Sequence, residues 1–255
     1  AGSPPAPQLA AAAHLAAHLA DDGVVAFALR SVLAEAMSEH VMAPCALQML
    51  GAALALLADG LRAALDGGAG ATGDAAESAF GEAGVCRLLL YSLTWGLGGP
   101  LTPAARMRLG VVLCARCSDA APAGVEPDLS ELYVDGTGRW AAWADAVPQN
   151  AAVPRARLAS PDVVVPTVDT ARHDGLVRAW VRARAPLLLC GPPGCGKTMT
   201  MLGTLRGLAD AEPLEASLSS TTGPRALLRA LHARCELRRG GCGAPRLVPG
   251  GGGMR

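Results

Sequence analysis

The stretch Leu187-Leu188-Leu189-Cys190-Gly191-Pro192-Pro193-Gly194-Cys195-Gly196-Lys197-Thr198 decides how this chain is read. Its last eight residues fit G-x-x-x-x-G-K-[ST], the pattern of a phosphate-binding loop. Of the 22 Lys+Arg residues 21 are arginine, so Lys197 is the only lysine; isoleucine is absent and Asn150 is the single asparagine. Such a composition reads as very GC-rich coding DNA, in which lysine has drifted to arginine wherever either serves. A phosphate loop is a place where they are not equivalent, because it needs a compact ammonium on a thin stem rather than a planar fork. With 31 glycines and 22 Ser+Thr among 255 residues, a lone lysine would acquire these three neighbours by chance about once in a thousand.

The physics of the loop follows from its residue types. Pro186 to Cys190 is a short apolar run suited to a buried parallel strand. Glycines let successive backbone N–H groups curl around an anion with no Cβ in the way. From Lys197 to about Ala209 the chain reads as a helix, whose unpaired N–H groups and positive dipole end face that anion. The ligand expected is ATP or ADP with Mg²⁺: Gly191, Pro192, Pro193, Gly194, Cys195 and Gly196 around the phosphates, Lys197 on the β/γ-phosphates, Thr198 Oγ1 on the metal. Cys195 lies beside the helix N-terminus, where a thiolate is favoured, so it is expected to alkylate fastest and to be protected by nucleotide.

Composition narrows the classes. Net charge is zero and pI is near 7.1, which gives no electrostatic case for nucleic acid or a membrane surface. The apolar share is 51 % but rich in alanine, and aromatics are 3 %, favouring helix over sheet for most of the length. Eight cysteines without framework spacing point to a reducing, cytosolic compartment. The longest weakly polar run, Ala43 to Ala58, falls short of the ~20 residues a membrane span needs. No basic-plus-apolar leader precedes it, and since the chain begins at Ala1 its natural start is expected upstream.

Taken in order, residues 1–118 read as an all-helical subdomain. Helix-like stretches run to Ala20, from Val24 to Met37, over 43–66 and from Ala75 to Leu97; Thr102-Pro103 opens a fifth as N-cap and first helical residue. Residues 119–160 read as a connector holding a hairpin, with Asp135-Gly136-Thr137-Gly138 as its turn. Residues 161–239 read as the start of an α/β core: an extended Asp162–Thr167, a helix from Asp169 to Arg184, the phosphate loop and its helix, a second strand at Leu214–Leu218, and a helix from Gly223 to Arg239. Residues 240–255, rich in Gly and Pro, read as unstructured.

Hydrolysis would need an acidic residue at a strand end to hold Mg²⁺ and a carboxylate to polarise water. After Thr198 no apolar run of four or more ends in Asp-Glu or Asp-Asp, so no catalytic residue is assigned. Cys114-Ala115-Arg116-Cys117 has C-x-x-C spacing, but a zinc site would need a second pair, and reduced helix-end cysteines are the reading preferred. His14 and His18 share a helix face without the carboxylate of H-E-x-x-H, and read as packing or solvent-facing histidines. Arg178, Arg182 and Arg184 read as a solvated helix face.

Ser160-Pro161-Asp162-Val163-Val164-Val165-Pro166-Thr167-Val168-Asp169-Thr170-Ala171-Arg172-His173, followed by Leu187 to Thr200, resembles the start of the third AAA+ module of the cytoplasmic dynein heavy chain family. Ser219-Ser220-Thr221-Thr222 and Cys235-Glu236-Leu237-Arg238-Arg239 extend the likeness. Leu90-Tyr91-Ser92-Leu93-Thr94-Trp95-Gly96-Leu97 resembles the helical subdomain closing the second module, and Val147-Pro148-Gln149 the end of the connector. The resemblance implies a truncated AAA+ P-loop NTPase core, α/β in class, behind an all-helical subdomain. It implies that Val164, Val165, Pro166 and Thr167 line the adenine pocket. It also implies partners for the whole protein: the rest of the heavy-chain ring, intermediate and light chains, and microtubules, in the cytoplasm or a cilium. The Mg²⁺-binding acidic strand, sensor residues and neighbour-facing arginine of such a module have no counterpart here, so motor activity would belong to the whole protein. Two readings follow: a regulatory nucleotide site of a motor ATPase, or a switch that holds nucleotide without hydrolysing it.

Overall fold

In the computed structural model the residues described are 6–68, 82–123, 128–148, 164–209, 213–239 and 245–249. Within the quoted motifs, Ser160 to Val163, Gln149, Cys242 and the Gly/Ala loop at 69–81 lie outside them. The chain divides into two compact units, Ala1–Met201 and Leu202–Arg255.

The first unit is built on helices α1 (Ala6–Leu19), α2 (Val24–Ala34), α3 (Ala46–Gly68), α4 (Glu82–Gly96) and α5 (Pro103–Arg116). A helix apolar on every side has to sit in the middle, and α4 does: Val85, Cys86, Leu88, Leu89, Leu90, Leu93 and Trp95 are all buried. Its two buried hydroxyls are satisfied locally, Ser92 donating to the Leu88 carbonyl at 2.7 Å and Thr94 to that of Leu90 at 2.8 Å. The tightest crossing is with α3, where a Cβ on Gly96 would come within 2.4 Å of the Ala53 backbone. Helix α5 starts as its sequence dictates, with Pro103 at its first position and Thr102 Oγ1 accepting from Ala105 N at 3.3 Å. Thr102 also donates to Glu39 at 2.7 Å, a bond that holds the Glu39 carboxyl below its ordinary pKa.

Ala46–Ala64 of α3 is long and apolar enough to cross a membrane by length and composition, a longer run than the sequence reading allowed. Of its side chains, Met49, Ala53, Leu56, Leu57 and Ala64 are buried within the unit, whereas Leu47 and Leu54 are exposed. Asp59 sits mid-helix and is buried in an ion pair.

Two strands, β1 (Leu132–Val134) and β2 (Trp140–Ala142), pair antiparallel around the turn expected at 135–138. Asp135 Oδ1 organises that turn by accepting from Thr137 N at 2.8 Å, Thr137 Oγ1 at 2.7 Å and Arg139 N at 3.0 Å. Behind the hairpin runs α6 (Val168–Arg182). The Trp143 ring covers Gly175 of α6 so closely that a Cβ there would fall 2.4 Å from it, and Arg172 pairs with Glu131 at 2.7 Å. On another side α6 buries Leu176, Ala179 and Trp180 against Leu56 and Trp95. Helix α7 (Lys197–Arg206) follows the phosphate loop, and the boundary between the two units falls inside it.

Four expectations need correcting. Pro186–Cys190 forms no strand, and Leu188 is 67 % exposed. A parallel strand exists only through hydrogen bonds to neighbouring strands, and none pairs with this run among the described residues. Leu214–Leu218 is likewise exposed and pairs with no strand among the described residues, for the same reason. The helix expected over Gly223–Arg239 stops at Arg234: α8 covers Pro224–Arg234, and Cys235–Arg239 becomes strand β3. Its partner is β4, Pro245–Pro249, inside the tail expected to lack structure. Prolines stand at the first and last positions of β4, where an edge strand tolerates them.

Candidate functional site: the phosphate loop

The loop at 191–198 owes its shape to two backbone conformations. Gly194 has φ +80° and Gly196 φ +82°, in the region that side-chain-bearing residues avoid. A Cβ at either would meet open space, so backbone conformation rather than crowding requires glycine there. Gly191 differs, since a Cβ would approach Cys195 Sγ to 3.0 Å.

Lys197, the first residue of α7, folds its ammonium back across the loop. Nζ donates to the Gly191 carbonyl at 2.9 Å and the Pro192 carbonyl at 2.7 Å, and lies 3.4 Å from Cys195 Sγ. The first helical bond runs from Thr200 N to Gly196 O, at 2.9 Å. The N–H groups of Lys197, Thr198 and Met199 therefore have no acceptor within the helix and point off its start. A lone ammonium, a helix N-terminus and two left-handed glycines suit a multiply charged anion. Pro192, Pro193, Cys195 and Thr198 are all exposed, so the loop is open to a ligand from solvent. Thr198, next in the helix, is the residue that could hold a divalent cation bound with that anion.

The four residues expected around adenine lead into α6. Val164 and Pro166 are half-buried, while Val165 presents its side chain to solvent at 60 % exposure. Thr167 is committed to the helix start: it exchanges hydrogen bonds with Thr170 in a capping box, its N–H donating to Thr170 Oγ1 at 2.6 Å.

Sequence reasoning missed a polar pair that supports this region. Arg182 of α6, read as part of a solvated face, makes a bidentate bridge to Asp59 of α3, Nε to Oδ1 at 2.9 Å and Nη2 to Oδ2 at 2.7 Å. The bond to Asp59 raises the guanidinium pKa further. Burial, with Asp59 close by, pushes the Tyr91 phenol well above its ordinary range. The signal was Asp59, a carboxylate that directly follows the apolar run Leu54 to Ala58 in mid-helix. Arg178 bonds Asp174 one turn away at 2.8 Å, and Arg184 is exposed with φ 52°.

The helical block and the glycine-rich phosphate loop behind it both match AAA+ families of P-loop proteins. Residues 22–145 match the family described as dynein heavy chain AAA lid domain, and residues 153–248 the family described as P-loop containing dynein motor region. Over 232 residues the chain is 33 % identical to a cytoplasmic dynein heavy chain of Caenorhabditis elegans, covering 91 % of this chain and 5 % of that one. Identity reaches 40 % over 161 residues with the cytoplasmic dynein heavy chain of Dictyostelium discoideum, 63 % of this chain and 3 % of that one. With its counterpart in Drosophila melanogaster it is 37 % over 153 residues, 60 % of this chain and 3 % of the relative. The chain belongs to the dynein heavy chain family, and it spans about a twentieth or less of the length of these relatives.

Proposed function

We propose that residues 191–198 bind ATP or ADP with Mg²⁺, as a regulatory nucleotide site between two neighbouring AAA+ modules of a microtubule motor. The observation that carries this reading is the Lys197 ammonium, seated across a loop whose glycines adopt φ +80° and +82°. Turned from the Gly191 and Pro192 carbonyls, the same donor would meet the β/γ-phosphates. Bound Mg²⁺ would supply charge neutralisation of the phosphates, with Thr198 as its protein ligand. Val164, Val165, Pro166 and Thr167 would line the adenine pocket.

The helical block at 1–118 would close the second module, 119–160 connect, and 161–239 begin the third. The bidentate Asp59–Arg182 bridge supports this view, because it ties the helix leading toward the loop to a helix of the lid. A change at the nucleotide would then bear on the preceding module through α6. Partners of the whole protein would be the rest of the ring, intermediate and light chains, and microtubules in the cytoplasm or cilium.

Titration of a fluorescent ATP analogue into the wild-type chain and Lys197→Ala or Lys197→Met tests the site. Removing the only ammonium of the loop should weaken binding at least tenfold, the value of about 1.4 kcal/mol for a charge-assisted phosphate contact. Unchanged affinity in both variants, with wild-type thermal stability, would remove the assignment.

A further inference from the structure

We propose that His18, Cys86 and Cys117 form a binding site for a thiophilic divalent cation, zinc foremost. The three come from three separated elements: α1, the N-terminal half of α4, and the C-cap of α5. Their ligand atoms nonetheless lie within 4.8 Å of one another, and His18 Nε2 is 3.0 Å from Cys86 Sγ. Cys86 and Cys117 are buried and His18 is half-buried. In a tetrahedral site with Zn–S about 2.3 Å and Zn–N about 2.0 Å, ligand atoms sit roughly 3.5–3.8 Å apart. The triad would close on an ion through side-chain adjustments of about 1 Å or less.

Donor chemistry selects the metal. Two thiolates and an imidazole suit zinc or cobalt(II) and serve magnesium or calcium poorly. A cavity of about 250 Å³ opens beside the triad and is lined also by Ser118, Asp119 and Arg116. The fourth ligand would come from the Asp119 carboxylate or a water in that cavity. Cys114, three residues before Cys117, stands outside the set, so C-x-x-C spacing is not what makes the site. Binding balances as displacement of two thiol protons by one divalent cation, with His18 entering as neutral imidazole.

The consequence would be a pin holding α1 to the lid. The lid match begins at residue 22, so His18 lies outside it and the third ligand belongs to the preceding helix. An ion bound only by the folded chain raises stability with its concentration.

The test uses the full 255-residue chain, reduced and metal-free, titrated with Co²⁺. One equivalent should produce thiolate-to-metal charge-transfer absorption in the near ultraviolet and the strong visible bands of a tetrahedral ion, both erased by Zn²⁺. A hundredfold excess of Zn²⁺ over its dissociation constant should raise the unfolding midpoint by about 5–10 °C, reversibly with a chelator. Cys86→Ser, Cys117→Ser and His18→Gln should each cost about a hundredfold or more in affinity. Replacing the exposed Cys45 and Cys190 together should change nothing. If a triad variant fails to fold, the wild-type Co²⁺ spectrum still decides. Absence of charge transfer, or its survival in the Cys86→Ser/Cys117→Ser variant, would overturn the site. So would a Cys86–Cys117 disulfide that forms as fast with zinc present as without.

Discussion

The helical lid and the phosphate loop lie in the same compact unit and carry their information in opposite ways. In the lid it is burial: Leu90, Leu93, Leu97, Leu101 and Leu113 are essentially inaccessible, and α4 is enclosed nearly all round. In the loop almost every residue is exposed, and what is specified is backbone conformation and one cation. Substitutions in the lid should therefore unfold the chain without discriminating between ligands, whereas Lys197 variants should lose nucleotide and keep stability.

The largest effect that would break this contrast belongs to Gly96. On helix propensity alone, Gly→Ala in a helix stabilises by about 0.8–1 kcal/mol. Here the added methyl would meet the Ala53 backbone at 2.4 Å, so α3 and α4 would have to separate. Gly96→Ala should destabilise by about 3 kcal/mol, lowering the unfolding midpoint by roughly 5–10 °C. A raised midpoint would mean that the crossing is looser than described and that the lid tolerates change as the loop does.

Next comes the pair joining α6 to α3. Arg182→Ala leaves Asp59 buried without its partner, at a cost that would reach about 3–5 kcal/mol in a dry interior. The guanidinium is 57 % exposed, so water can take its place and about 2 kcal/mol is expected. Asp59→Leu/Arg182→Met should recover most of the loss, because two apolar side chains leave no charge stranded. A single-variant effect under about 0.5 kcal/mol would reduce the bridge to an ordinary surface pair, and with it the mechanical link proposed between lid and loop.

Much of this contrast was legible in the residues. Helix ends were marked by Gly67-Gly68, Gly98-Gly99-Pro100 and Thr102-Pro103, and the loop by its motif, because both are local signals. What failed was non-local. The run Pro186–Cys190 has a strand's composition, yet composition cannot supply the neighbour to which a parallel strand must bond. Asp59 and Arg182 are 123 positions apart, and only the packing of α6 on the lid brings them together. The triad of His18, Cys86 and Cys117 is hidden likewise, since no regular spacing links its members. Strand β4 was lost for the opposite reason: its prolines and flanking glycines outweighed a short run at Arg246-Leu247-Val248 that could pair.

The smallest expected effect sharpens the comparison at a third place, the hairpin turn. Burial alone would raise the Asp135 pKa, but hydrogen bonds from Thr137 and Arg139 outweigh it and hold the carboxyl below its ordinary 3.8. A carboxylate with a depressed folded-state pKa contributes stability that is fully present above the unfolded value of about 3.9 and is lost as pH falls through the folded value. Asp135→Asn should therefore cost a few tenths to about 1 kcal/mol near neutrality, the carboxylate being partly exposed. The difference from wild type should shrink toward zero as pH falls through the depressed folded-state value of Asp135. Carboxyl-carbon NMR titration of Asp135, alongside unfolding of both proteins across that range, measures both quantities. A gap that persists undiminished in acid would show that the side-chain oxygen organises the turn as well protonated as charged, leaving its geometry, like that of the phosphate loop, a matter of backbone alone.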